Sequence, residues 1–251
     1  MFFLKRFCAP KPTFSAELAP DEPFFAIGDI HGRDDLLKRI LMRMDEVAPD
    51  IRRVFVGDYI DRGEHSAGLL RRLQALEQSC DGQVVCLKGN HEDRLLRFLD
   101  NPAEAGPAWM RHGGLQTMAS FLIAPPSSSA PSQEWETARD KLREGMGGPL
   151  ISWLEDLPTS WQTGNVAVVH AGADPTVPLE EQYDNILLWG HAEFATTLRT
   201  DGVWVVHGHT IIDAPMVCNG RISIDTGAYA TGLLTALYLR PGRDEPEFLQ
   251  A

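Results

Sequence analysis

Five short phrases, each following a run of apolar residues, constrain this chain more than any other feature: GDIHG at 28–32, GDYIDRG at 57–63, KGNHED at 88–93, VVHAG at 168–172 and VVHGHT at 205–210. Each puts a carboxylate, amide or imidazole where a buried strand gives way to a loop. Strand ends that all carry such groups, aimed at one point, make a metal site. A lone DxH or GH pair is more often a turn, but five in order leave turns a poor account of the pattern.

The segments between these phrases supply the sheet they need. FFAI (24–27) reads as a strand, and DDLLKRILMRMDEV after it places Leu36, Leu37, Ile40, Leu41 and Met44 at helical spacing. Asp34 and Asp35 in the first turn suit the helix dipole. The unit repeats as RVFV (53–56), SAGLLRRLQAL, VVCL (84–87) and DRLLRFL, in which Leu95, Leu96, Phe98 and Leu99 read as core. Strands alternating with helices predict a parallel sheet of an α/β fold. From about 100 to 163 the pattern breaks: Pro102, Pro107, PPSSSAPS and GMGGP mark an irregular, helical insertion that reads as a cap, its tryptophans forming a small hydrophobic centre. Strand patterns return in VAVVH, VWVVH, APMVC, RISID and LLTALYL, the later ones close enough to predict an antiparallel continuation.

A chain of 251 residues can bury one sizeable α/β core, assigned here to residues 23–251. Residues 1–22, with Pro10, Pro12 and Pro20, read as a loosely ordered lead-in. A formal charge of −12 argues against duplex nucleic acid as partner, because backbone binding needs a basic face. No apolar run reaches the length of a membrane span, and the four cysteines show no CxxC spacing, so a reducing cytoplasm is the expected compartment.

Asp29 and His31 flank one residue and can face the same side of a turn, forming one half-site. Asp58 has two oxygens with which to bridge two cations, and Asn90, His170 and His209 can complete the ligand set of the second ion. Carboxylate with imidazole suits two ions of Mn2+, Fe or Zn2+. With a bridging hydroxide the charges sum to about +1, which draws in phosphate. The chemistry expected is in-line attack of that hydroxide on a phosphoester. His91, beside Asn90, is the candidate general acid, Asp61 charges and holds its imidazole, and Arg62 grips phosphate oxygens.

The order GDxHG, GDxxDRG, GNHE, HAG, GHT resembles the phosphoprotein phosphatase branch of the calcineurin-like metallophosphoesterases, in particular the short bacterial and phage enzymes of the lambda phosphatase type. The resemblance runs from about residue 24 to 239 and covers the cap only loosely, through WMRHGG and ISWLEDLP. It implies a four-layer α-β-β-α sandwich of two mixed sheets with metals at the strand ends. It assigns the metals to the same six residues, the acid dyad to His91 and Asp61, and phosphate binding to Arg62. One departure stands out: relatives carry a second phosphate-clamping arginine after an LLW phrase, where LLWGHAEF places His191. A neutral imidazole cannot form a bidentate charged pair, so Arg111 or Arg199 are candidate replacements. Tyr229 lies where relatives place a tyrosine near the phosphate, and it reads equally as a packed aromatic. His207 is expected to hydrogen-bond behind the ligands, and His65 and His112 to be exposed or loop-packing.

Three functions follow. The leading one is a serine/threonine protein phosphatase, with phosphotyrosine or a phosphorylated small molecule also within reach of a shallow site. The second is a hydrolase of dinucleoside polyphosphates or related pyrophosphates, for which Trp109, Arg111, Trp135, Arg139, Lys141 and Arg143 offer suitable cap groups. The third, motivated by His191 alone, is a non-catalytic metal-binding protein.

Overall fold

The computed structural model describes residues 13–243 and 245–251; residues 1–12, the first part of the expected lead-in, lie outside them. The chain begins as three βα repeats: β1 (Phe24–Ile27), α1 (Asp34–Val47), β2 (Arg52–Phe55), α2 (Ser66–Ser79), β3 (Val84–Cys86) and α3 (Asn90–Asp100). Four helices follow, α4 (Pro102–Trp109), α5 (Leu115–Ser120), α6 (Ser132–Met146) and α7 (Gly148–Asp156), with one wide turn at Met110–Gly114 between the first two. The remainder comprises β4 (Ser160–Thr163), β5 (Val166–Val169), α8 (Asp184–Trp189), β6 (Trp204–His207), β7 (Met216–Cys218), β8 (Arg221–Ser223), α9 (Ala228–Thr231), β9 (Thr235–Leu239) and β10 (Glu247–Gln250).

Two five-stranded mixed sheets result, ordered β10-β9-β1-β2-β3 and β4-β5-β6-β8-β7. Alternation along each strand divides the core into layers. On β1, Phe25 and Ile27 face the helices, whereas Phe24 and Ala26 face the second sheet. On β5, Val166 and Val168 meet them there, while Ala167 and Val169 pack outward beneath Leu187 of α8. A one-residue slip of β1 would exchange its two faces and forfeit contacts worth roughly 1.5–3 kcal/mol per large apolar side chain. The expected four-layer α-β-β-α sandwich is present but lopsided, with every helix longer than eight residues on the side of the first sheet.

Several expectations change in detail. The insertion is four helices joined in part by irregular chain, and its last four residues, Ser160–Thr163, are not cap but an edge strand paired with β5. Trp109 and Trp135 do not form a separate small centre; they join the main core beneath the first sheet. Helix α3 starts at Asn90, three residues before the periodicity of DRLLRFL shows. Antiparallel pairing does hold for β7 with β8 and for β9 with β1 and β10, yet β6 and β8 run parallel. Within the lead-in, the described residues are held down: the backbone N–H of Ala19 donates to Asn165 at 2.8 Å, Leu18 is buried, and Phe14 meets Trp204 edge-on.

In the first sheet β1, β2 and β3 run parallel, and in the second β5, β6 and β8 do. Their carboxyl ends release Asp29, Asp58, Asn90, His170, His209 and Asp225 within four residues of each strand's last residue. That shared polarity gathers side chains 29 to 225 residues into the chain at one rim of the sandwich.

Candidate metal centre

Four of the six ligands follow a glycine, and in each case the reason is room. A side-chain carbon on Gly89 would fall 2.3 Å from Asp58 Oδ1, and one on Gly208 would fall 1.9 Å from Asp29 Oδ1. The backbone is also bent to aim the ligands: His31, Asp58, Asp61, Arg62 and His209 all adopt positive φ, between 45° and 70°. Such conformations cost on the order of 1–3 kcal/mol each in non-glycine residues and persist only where the surroundings impose them.

Glu92 imposes much of this. Its carboxylate accepts the backbone N–H groups of Asp58 and Gly89 through one oxygen and of Tyr59 through the other, all at 2.9 Å. The sequence signal was available, since Glu92 lies three residues past Gly89 at the start of α3, where a carboxylate can reach back to free amides.

Five of the six expected ligands bring their side-chain ligand atoms together, and Asp29 lies beside them against the His209 backbone. His31 Nδ1 donates to the Ile60 carbonyl at 2.7 Å, which leaves Nε2 to face Asp58 Oδ2 at 3.5 Å. His170 Nδ1 donates to the Val56 carbonyl at 3.0 Å, so its Nε2 presents a lone pair. That lone pair lies 2.9 Å from Asn90 Oδ1, 3.2 Å from His209 Nδ1 and 3.4 Å from Asp58 Oδ1. Asp29 accepts the His209 N–H with both oxygens, at 3.2 and 3.0 Å. Two triads, His31–Asp58–His91 and Asp58–His170–His209, have ligand atoms within 4.8 Å of one another, and Asp58 belongs to both.

Electrostatics tests whether cations fit. Burial pulls His31 down to about 3 and His170 to about 4, and lowers His209 as well, so these imidazoles are neutral and their lone pairs free. Asp58 stays below the usual carboxylate range, because His170, His91 and His31 outweigh the opposing effect of its burial. Asp29 is pushed well above that range by burial, then by the charges of Asp225 and Asp58. Asp225 rises to about 6 and Glu92 to about 7, again through burial and then, among the charges, chiefly Asp58. Glu92 is spent on backbone N–H groups, but the carboxylates of Asp29 and Asp58, crowded by further buried acids and set beside neutral imidazoles and an amide oxygen, form a donor set that divalent cations satisfy. Asp225 escaped the sequence reading, although it follows a strand end just as the ligands do.

The two residues expected to act as an acid dyad are in contact. His91 Nδ1 meets Asp61 Oδ2 at 2.6 Å, and its backbone N–H donates to Asp58 Oδ1 at 3.0 Å. Burial works against a charged imidazole there, yet Asp58 and Asp61 prevail and raise its pKa. Asp61 is itself held from the cap: Trp109 Nε1 donates to its two oxygens at 3.1 and 2.9 Å, and Thr117 Oγ1 donates at 2.7 Å. Neither partner was foreseen, because both lie some fifty residues away in the insertion.

Above the dyad lies a cavity of about 330 Å3, floored by Asp58, Asn90, His91 and His209 and rimmed by Arg62, Arg94, His112 and Trp189. Arg62 lies over the Tyr229 ring at 4.7 Å, and the same ring meets His31 edge-on, so Tyr229 sits at the mouth and supports the guanidinium. His191 does not join them. Gly190, with φ of 85°, ends α8 and turns the chain away; His191 Nε2 faces Asp174 Oδ2 at 3.7 Å, and Trp189 takes the place at the cavity. Arg199 is no substitute, being buried with its donors on the carbonyls of Asp174 and Val177. Arg111 is exposed and lines an adjoining cavity beside Tyr229. His112 is exposed, and its WMRHGG phrase brings it to the rim of the cavity; His65 is exposed as well. His207 stays behind the ligands, its Nε2 2.8 Å from Ser223 Oγ. A larger hollow of about 870 Å3 between residues 13–16 and 196–202 carries none of these convergent groups.

Residues 22–213 match the calcineurin-like phosphoesterases. The asymmetrical bis(5'-nucleosyl)-tetraphosphatase PrpE of Bacillus velezensis (strain DSM 23117 / BGSC 10A6 / LMG 26770 / FZB42) is 29% identical over 231 residues, 83% of this chain and 86% of that protein. The symmetrical bis(5'-nucleosyl)-tetraphosphatase of Janthinobacterium sp. (strain Marseille) is 30% identical over 169 residues, 65% of this chain and 50% of that protein. A protein serine/threonine phosphatase structure from Saccharomyces cerevisiae superposes with a TM-score of 0.60 at 16% identity, covering 92% of this chain and 80% of that one, a likeness of fold. Among the described residues, no helix is long and apolar enough to cross a membrane.

Proposed function

The chain belongs to the calcineurin-like phosphoesterase family, and on that premise we propose that it is a metal-dependent hydrolase of dinucleoside polyphosphates. This reverses the order expected from sequence, in which a serine/threonine protein phosphatase led. The observation that carries the substrate class is the likeness to a bis(5'-nucleosyl)-tetraphosphatase across 83% of the chain, whereas the resemblance to a serine/threonine phosphatase is one of fold.

Asp29, His31 and Asp58 would hold one divalent cation, and Asp58, Asn90, His170 and His209 the second. When bound, such a pair supplies Lewis-acid activation of water and neutralises charge on the phosphoryl oxygens. The chain's own groups do the rest. Arg62, free of any carboxylate within 4.0 Å among the described residues, orients a phosphoryl group through its forked donors. In its charged form, which Asp58 and Asp61 favour against burial, His91 keeps Nδ1–H on Asp61 and carries a second proton at Nε2, directed at the cavity. It delivers that proton to the departing oxygen as the phosphorus–oxygen bond breaks.

The test is competition between substrates on protein loaded with Mn2+. Diadenosine tetraphosphate should be hydrolysed with a kcat/KM at least ten times that for phosphoserine and phosphothreonine peptides, and the products, two ADP or ATP with AMP, define the bond cut. The opposite ranking would restore the protein phosphatase.

A further inference from the structure

The cavity rim carries a second guanidinium that no expectation assigned. Arg94 lies on α3 three residues after His91 and four after Asn90, hence on the same helical face. Its guanidinium carbon sits 4.5 Å from the centroid of the Trp189 ring, the residue that occupies the cavity in place of His191. Two polar atoms there are buried without a hydrogen-bond partner among the described residues: Arg94 Nε and Trp189 Nε1. No carboxylate of the described residues lies within 4.0 Å of Arg94, whereas the neighbouring Arg97 is paired with Asp93 at 2.8 Å. A cation clamped on an indole, with its donors unspent, is preorganised for an anion brought from outside.

Its position separates it from Arg62. Arg62 touches the proton donor, its terminal nitrogen 3.4 Å from His91 Nε2, so it serves the phosphoryl group that reacts. Arg94 stands at a junction, lining both the 330 Å3 cavity and a groove of about 390 Å3 between α3 and α4, which continues past Asn101, Ala105 and Trp109. A substrate that ended at its reacting phosphate would leave that junction bare. We propose that Arg94, seated on Trp189, binds the phosphate next to the one attacked, making this rim a polyphosphate subsite. The inference rests on the dinucleoside polyphosphate reading and names the group that would select it.

The experiment uses AMP and ADP as competitive inhibitors of p-nitrophenyl phosphate hydrolysis by the Mn2+-loaded protein, with the metal in excess. The unmodified chain should bind ADP at least tenfold more tightly than AMP. Arg94→Gln should reduce that preference at least fivefold, and Arg94→Lys should fall between, since it keeps charge but loses the planar stack. Trp189→Leu provides an independent reading of the same seat should Arg94→Gln fail to fold. An unchanged preference in the variants, no preference in the unmodified chain, or equal weakening of AMP and ADP would each overturn the assignment. The inhibition constants do not require a dinucleotide to be cleaved. If diadenosine tetraphosphate resists hydrolysis while the ADP preference depends on Arg94, the substrate falls and the subsite stands.

Discussion

The floor of the site, formed by Asp29, Asp58, Asn90, His170 and His209 at and beneath the base of the cavity, is released within four residues of strand ends, whereas the cavity's rim draws on a loop, a helix flank, the cap and the last residue of α8. Floor residues other than His209 are buried, and their backbones are tied by Glu92 and by one another. Rim residues are half-buried or exposed and are placed by stacking: Arg62 on Tyr229, Arg94 on Trp189. Topology therefore dictates where metals can bind, and local chain endings dictate what can be bound over them. A single glycine, Gly190, decides which residue of the LLWGH phrase reaches the substrate.

The strongest way to break this division is at the residue both halves of the floor share. Asp58→Asn removes charge from both triads at once, so kcat/KM for p-nitrophenyl phosphate should fall by roughly 10³-fold or more, as two-metal chemistry requires both ions. Bound Mn2+, measured by elemental analysis after dialysis, should drop below one ion per chain. Two retained ions with near-normal turnover would show that the floor is not the reaction centre.

A smaller effect sharpens the boundary between floor and cap. Trp109→Phe keeps most of the buried ring but removes the N–H that reaches both oxygens of Asp61, leaving Thr117 as the remaining side-chain donor from the cap. A hydrogen bond to a charged group contributes about 1.5–3 kcal/mol, equivalent to roughly tenfold or more if transmitted to the dyad. We expect kcat to fall about tenfold on an alkyl phosphate, less on p-nitrophenyl phosphate, with KM changed by under twofold, in line with the estimate above. Equal losses on both esters would mean that Trp109 supports the core and not the acid.

The floor was legible because its signal is redundant. Each ligand phrase follows an apolar run, and four of the six ligands directly follow a glycine, which at Gly89 and Gly208 exists for want of space beside another ligand's carboxylate. The layering was legible for the same reason, since alternation along Phe24–Ile27 and Val166–Val169 serves two different cores. What stayed hidden depends on contacts distant in sequence. Nothing near Asp61 announces Trp109 or Thr117, and strand β4, SWQT, has too short an apolar pattern to separate it from the cap. Asp225 and Arg94 are intermediate cases. The first obeys the strand-end rule and the second the i, i+4 rule, but both sit inside phrases that read as strand and core helix.

The smallest expected effect bears most directly on how the rim is read. Restoring the arginine that relatives place after the LLW phrase, by His191→Arg, would raise kcat/KM if position 191 faced the phosphate, and the sequence alone predicts such a gain. In the structure the Gly190 turn carries position 191 toward Asp174, which lies 3.7 Å from the imidazole and would pair with an arginine instead. A surface pair of that kind is worth about 0–1 kcal/mol, so kcat/KM for p-nitrophenyl phosphate should stay within twofold and the melting temperature within a few degrees. A tenfold gain would show that α8 can unwind far enough to return the side chain to the cavity, and would displace Arg94 and Trp189 from the role assigned to them.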